Sequence, residues 1–156
     1  MTSFSLRPCG ASDHDFLYAV YASTRTEELA LVDWDESRKA QFLEMQFSAQ
    51  HRYYHENYAN TDFSVILFDN RMAGRLYIAR WPEEIRIVDL ALLPEFRNAG
   101  IGTAILKSVL SEAAAVRKPV RIHVERFNPA ISLYRRLGFV EIGEHGVYFL
   151  MECGCG

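Results

Sequence analysis

The chain has 156 residues, 49% of them hydrophobic and including 10 Phe and 8 Tyr, which suits a single domain over residues 1–156 with a sizeable core. A formal charge of −3 provides no global attraction for nucleic acid or an anionic membrane, so neither is an expected partner. No apolar run approaches the ~20 residues that span a bilayer, and the start, Met1 to Phe4, lacks the charged flank of a signal peptide, so a cytoplasmic protein is expected.

In chain order, Phe4, Ser5, Leu6 and Arg7 alternate up to Pro8 and suit a first strand. Ser12 or Asp13 can cap a helix carrying Phe16, Leu17, Val20 and Tyr21 at helical spacing. Residues 27–34 read as a loop or a short helical piece. Residues 35–58 contain neither Gly nor Pro and repeat apolar side chains at Phe42, Met45 and Ala49, with Leu43 and Phe47 beside them; a long helix is expected there. Residues 64–68 form an apolar strand, Asp69-Asn70 a hairpin turn, and residues 72–81 a returning strand. Pro82 and Glu83 turn the chain into a further strand over residues 85–93.

The second half is punctuated as clearly. Ile101, Ile105, Leu106, Val109, Leu110 and Ala113 mark the buried face of a helix that ends before Pro119. Residues 120–125 alternate as a strand. Asn128 followed by Pro129 is a good helix start, which predicts a helix over residues 128–137 stopped by Gly138. Residues 139–142 and 147–151 form a last hairpin around residues 143–146. Cys9, Cys153 and Cys155 are odd in number and too few for a structural zinc site, so free thiols at a loose terminus are expected. His51 and His55, four apart on the long helix, lack a third metal ligand, and no metal site is assigned.

The junction Arg97-Asn98-Ala99-Gly100-Ile101-Gly102-Thr103 joins a strand to a helix start through two glycines. Unpaired amides in a first helical turn and the positive end of the helix dipole make such a junction an anion site, above all for phosphate. A dinucleotide fingerprint would place a third glycine where Ile105 stands. A nucleotide P-loop would place lysine after its last glycine, whereas the next one here is Lys107. What remains is Arg-x-x-Gly-x-Gly after a strand, followed downstream by Asn128-Pro-Ala-Ile-Ser-Leu-Tyr134-Arg-Arg-Leu-Gly-Phe139.

These two segments, in this order, resemble the acetyl-CoA-binding core of the GNAT superfamily of N-acetyltransferases, and the resemblance covers roughly residues 84–140. It implies an α/β fold with a mixed, mostly antiparallel sheet flanked by helices, in which the strands at 85–93 and 120–125 splay apart to admit the pantetheine arm. Backbone groups of Leu92 and Leu93 would bind that arm, and Arg97, Asn98, Ala99, Gly100, Ile101, Gly102 and Thr103 the pyrophosphate, with Asn128 also facing the cofactor. Acetyl-CoA would serve as co-substrate for a primary amine, carried by a small molecule or a protein. An acyl-CoA-binding module without turnover is the alternative, since fold does not fix function.

Tyr134 matches the family's tyrosine that protonates the departing thiolate. An alkyl amine of pKa near ~10.4 must also lose a proton before it attacks. Three candidates for the base stand level. His123 lies five residues before Asn128, where the branch acetylating protein N-termini carries glutamate; Glu84, thirteen before Arg97, resembles the histone-acetylating branch's glutamate; Asp89 is a charge inside an apolar strand. A base formed by water alone is also open. His51, Tyr53, Tyr54, His55 and Tyr58 shape an acceptor pocket or simply pack, and Glu27, Glu28, Asp33 and Asp35 fit a cationic acceptor or a solvated face. The acceptor's identity and the oligomeric state, a homodimer included, stay undetermined by sequence.

Overall fold

The computed structural model describes residues 3–58 and 60–154. The chain runs β1 (Ser5–Pro8), α1 (His14–Ser23), α2 (Thr26–Ala30), α3 (Glu36–Asn57), β2 (Thr61–Phe68), β3 (Arg71–Arg80), β4 (Ile85–Leu92), α4 (Ile101–Ala115), β5 (Val120–Glu125), α5 (Ile131–Arg136), β6 (Val140–His145) and β7 (Tyr148–Cys153). The strands form one seven-stranded sheet in the order β1-β2-β3-β4-β5-β7-β6. All neighbours are antiparallel except β4 and β5. The α/β fold with a mixed, mostly antiparallel sheet is therefore the one expected.

Local chemistry explains most boundaries. Asp35 accepts a hydrogen bond from the Arg38 amide at 2.8 Å and so starts α3. Asp69 and Asn70 both take positive φ, 50° and 62°, the backbone that a tight β2–β3 hairpin requires. Gly138, at φ 102°, ends α5.

Four expectations need correction. Asp13 precedes α1 without capping it, because its carboxylate turns back to accept from the Gly10 amide (2.7 Å) and both terminal nitrogens of Arg7 (2.9 and 3.0 Å). On α3 the buried residue is Phe47, packed with Leu17 and Tyr21, while Met45 is 61% exposed; the helix turns its Leu43–Phe47 stripe to α1. α5 starts at Ile131 rather than at Asn128, since the Asn128 carboxamide is spent on a tight turn, accepting from the Ala130 amide at 2.9 Å. Cys153 pairs with Val120 in β7 instead of lying in a loose tail, and Cys155 falls outside the described residues.

The main core fills the sheet face covered by α4 and α5. Ile85 and Ile87 from β4, Val120, Ile122 and Val124 from β5, and Ile101, Ile105, Leu106 and Val109 from α4 meet there. α1 and α3 contribute a second, smaller cluster. Burial of this apolar surface, at about 25 cal/mol per Å², is the main term holding the layers together.

Candidate functional site

The central feature is a seam. β4 and β5 pair only at Ile85–Val120, Arg86–Arg121 and Ile87–Ile122, after which both strands continue without pairing each other. The divergence begins at a bulge: Tyr77 pairs with Asp89 and Ile78 with Ile87, leaving Val88 as the extra residue. The extra residue shifts the alternation, so Ile85, Ile87, Leu90 and Leu92 all join the α4-side core. Asp89 is thereby turned to the opposite face.

The free edge of β4 can be read from its other edge. The Leu93 amide donates to the Ala73 carbonyl at 2.9 Å, and the Ala91 carbonyl faces Gly74 so closely that a Cβ there would stand 2.1 Å from it. Alternation along a strand then directs the backbone groups of Leu90 and Leu92 into the seam. Of the two residues named from the resemblance, Leu92 directs its backbone to the seam side, where its carbonyl meets Arg97, while the Leu93 amide is spent on β3; Leu90 also faces the seam.

Beyond β4 the chain makes a short 3₁₀ turn over Pro94–Phe96 and enters α4. Asn98 (φ 59°) and Gly100 (φ 83°) supply the left-handed backbone that brings the helix end round to the seam. Amides of a first helical turn have no intrahelical acceptor, and no side chain caps α4. A Cβ on Gly102 would make only ordinary contacts with Leu133 (3.8 Å) and Leu92 (4.0 Å). The bare backbone there leaves room for something outside the protein rather than relieving crowding within it. Ile101 is fully buried and anchors the helix. Arg97 points back, its Nε donating to the Leu92 carbonyl at 2.9 Å and its Nη2 to Ser23 Oγ at 3.2 Å.

Tyr134, on α5, is 4% exposed and packs edge-on against Phe139. Burial, and then the charge of Asp89, push its phenol well above the ordinary value. Asp89 itself is paired: Arg75, 3% exposed, donates to its Oδ2 at 2.6 Å and Tyr54 donates to the same oxygen at 3.1 Å. Gln50 accepts from Arg75 Nη2 at 2.8 Å, and Arg75 Nε is buried without a partner among the described residues. Glu84 stands at the closed end of the seam between Arg86 (2.7 Å) and Arg121 (3.0 Å). His123 lies one position past the last β4–β5 pair, with its ring exposed and its Nδ1 3.4 Å from Arg86 Nη1. Partial burial, then Arg86 and His145, push its imidazole below 6.5. Asn128 is exposed in the loop between β5 and α5.

The structure thus brings Tyr134 and Asp89 into electrostatic range of one another, sets His123 just beyond the last strand pair, and leaves Glu84 at the far end. The aromatic run of α3 packs: His55 stacks on Phe63 and Tyr58 on Trp81, at ring separations of 4.1 and 6.0 Å. His51 contacts His55, and no group of three or more metal-ligating side chains occurs among the described residues.

A cavity of about 260 Å³, not foreseen from sequence, lies between α1, α2, α3 and the β6–β7 hairpin. Tyr21, Arg25, Glu28, Phe42, Glu125 and Tyr148 are among its lining residues. Arg25 Nη1 bridges Glu28 (2.9 Å) and Glu125 (3.0 Å). Glu125 ends β5, three residues past its last pair with β4, and pairs across the sheet with Tyr148, so the cavity borders the unpaired stretch of β5. One clue was available, since Glu125 follows His123 at strand spacing and shares its face.

Comparison with known proteins agrees with this geometry. A family model described as an acetyltransferase (GNAT) domain matches residues 59–141. A curated N-alpha-acetyltransferase from Sulfurisphaera tokodaii is 36% identical over 59 residues, a stretch covering 36% of this chain and only 35% of that relative. Among solved structures, the PaiA N-acetyltransferase of Thermoplasma acidophilum in complex with coenzyme A superposes with a TM-score of 0.71 at 19% identity, covering 97% of this chain and 98% of the other. The ribosomal-protein-S18-alanine N-acetyltransferase of Escherichia coli gives 0.66 at 15% identity, covering 99% and 95%. At such identities these two likenesses are of fold. With a family model matching more than half its length, the chain belongs to the GNAT acetyltransferase domain family.

Proposed function

We propose that this protein transfers an acetyl group from acetyl-CoA to a primary amine by direct attack on the thioester. The observation that carries the reading is the seam: a β4 edge at Leu90 and Leu92 that lacks a strand partner, with Arg97 at the Leu92 carbonyl, and that runs into the glycine-opened end of α4, which no side chain caps. A pantetheine arm has amides that bond to a strand edge, and a diphosphate suits a helix N-terminus. Backbone groups of residues 98–103 hold the diphosphate, with Gly102 leaving the approach open. Arg97 has a guanidinium within reach of both the seam and the loop.

The amine nitrogen attacks the thioester carbonyl carbon, the carbon–sulfur bond breaks, and the thiolate takes the Tyr134 proton. At neutral pH the phenol carries its proton and donates it to the sulfur; because its pKa is raised, the tyrosinate left behind is a strong base that is reprotonated from solvent as the step completes. Of the three carboxylate and imidazole candidates, His123 is the one free of a carboxylate–guanidinium pair, and its lowered pKa keeps it neutral at pH 7 and able to accept the amine's proton, directly or through water. Asp89 and Glu84 have their charges taken up by arginines, which makes them parts of the scaffold.

Calorimetric titration with coenzyme A, paired with thiol release from acetyl-CoA over an amine panel, tests the reading. Tyr134→Phe should lower kcat roughly 10²-fold while leaving acetyl-CoA affinity nearly unchanged. An absence of coenzyme A binding removes the proposal; binding without turnover on any amine would favour a sensing module.

A further inference from the structure

Resting on the acetyl-transfer reading, we infer that the Arg25–Glu28–Glu125 cavity is the acceptor seat and selects a primary amine with no carboxylate beside it. Arg25, half-buried, is held by Glu28 at 2.9 Å and Glu125 at 3.0 Å and lies over the Tyr21 ring. The cavity wall is therefore already arranged to keep a cation. Two carboxylates against one guanidinium leave a single negative charge over, enough for one ammonium. Tyr21, Phe42 and Tyr148 add aromatic side chains to the lining, and the Arg25 guanidinium already lies over the Tyr21 ring at 5.6 Å.

The same arrangement works against an acid. The guanidinium that would bind a carboxylate is already bridged between Glu28 and Glu125, so a third carboxylate would face both. A free amino acid is thereby disfavoured, whereas an alkylamine, an amino-acid amide or the first residue of a peptide presents the ammonium with neutral atoms beside it. At about 260 Å³ the cavity falls below the range of roughly 300–1,000 Å³ typical for drug-sized ligands, and it admits a small amine or one terminal residue. Glu125 stands at the seam end of the cavity and directs the nitrogen toward the thioester. Leu29 and Val147 bound the remaining space.

Four probes with one side chain separate these cases: leucine, leucinamide, 3-methylbutylamine and the tripeptide Leu-Gly-Gly amide. Acetyl transfer to leucinamide and 3-methylbutylamine should exceed that to leucine by at least about tenfold in kcat/KM, and the tripeptide arm tells a free amine from a chain terminus. Glu125→Gln should raise KM for leucinamide about tenfold or more, with acetyl-CoA affinity retained as proof of folding; Glu28→Gln, on the exposed side, should raise it less. Leucine used as well as its amide, or an unchanged KM in both variants, overturns the inference while acetyl transfer stands. Conversely, Glu125-dependent binding of leucinamide, seen by calorimetry on a protein that neither binds nor cleaves acetyl-CoA, upholds the seat and removes the acetyl-transfer reading.

Discussion

His123 shows how much one residue's surroundings add to its identity. The sequence placed it among three equal candidates, and the structure separates them by their partners: two guanidiniums for Glu84, one guanidinium and a phenol for Asp89, and for His123 only the edge of Arg86. Because its pKa is lowered, the imidazole is neutral above that value, and as the proposed base it would lose activity as pH falls through it. The acidic limb of the kcat/KM profile should therefore have its midpoint below 6.5, and His123→Gln should remove that limb while lowering kcat/KM roughly 10²-fold at pH 7. A profile unchanged by the substitution assigns the proton to water. The same contrast explains what sequence could not reveal about the carboxylates, since a charge inside an apolar strand looks alike whether it is catalytic or paired.

Among the elements, β4 is the one that organises the rest. Gly74 on β3 allows the Ala91 carbonyl to approach, and the Val88 bulge lets the Leu90–Leu92 edge turn into the seam. Gly74→Ala would drive a Cβ into that carbonyl, which should cost about 1–3 kcal/mol in a urea or thermal melt and also weaken coenzyme A binding, because the free edge of β4 shifts. A stable variant with normal binding would show the close approach to be incidental. Strands and long helices were legible wherever the chain supplies punctuation: Pro8, Asp69-Asn70, Pro94, Gly100, Pro119 and Gly138 all stand at or beside observed boundaries. Legibility failed where one local signal had two uses. Asn128 is both a good cap and a good turn former, and the turn prevailed. The bulge at Val88 has no signature in an apolar run, so the sequence does not show which backbone groups of β4 face the seam. The cavity was invisible because Tyr21, Arg25, Glu28 and Tyr148 are brought together only by the packing of separate elements.

At the scale of the whole molecule, the sheet consists of two halves, β1–β4 and β5–β7–β6, joined by three residue pairs and by the core beneath α4. A ligand that binds only the folded chain stabilises it by about 2.7 kcal/mol at a hundredfold excess over its Kd. For a domain of this size that corresponds to a rise in Tm of roughly 5–10 °C with coenzyme A, and a melting temperature that coenzyme A leaves unmoved would show that the folded chain does not bind it. A sheet ordinarily closes on itself through its own backbone, yet here the polypeptide stops short in the middle of its largest layer. The rungs missing between Leu90 and Val124 are ones that a molecule with two amide groups can supply. Such a guest would act as an eighth, removable strand, and the protein would reach its full mechanical continuity only while carrying its cargo.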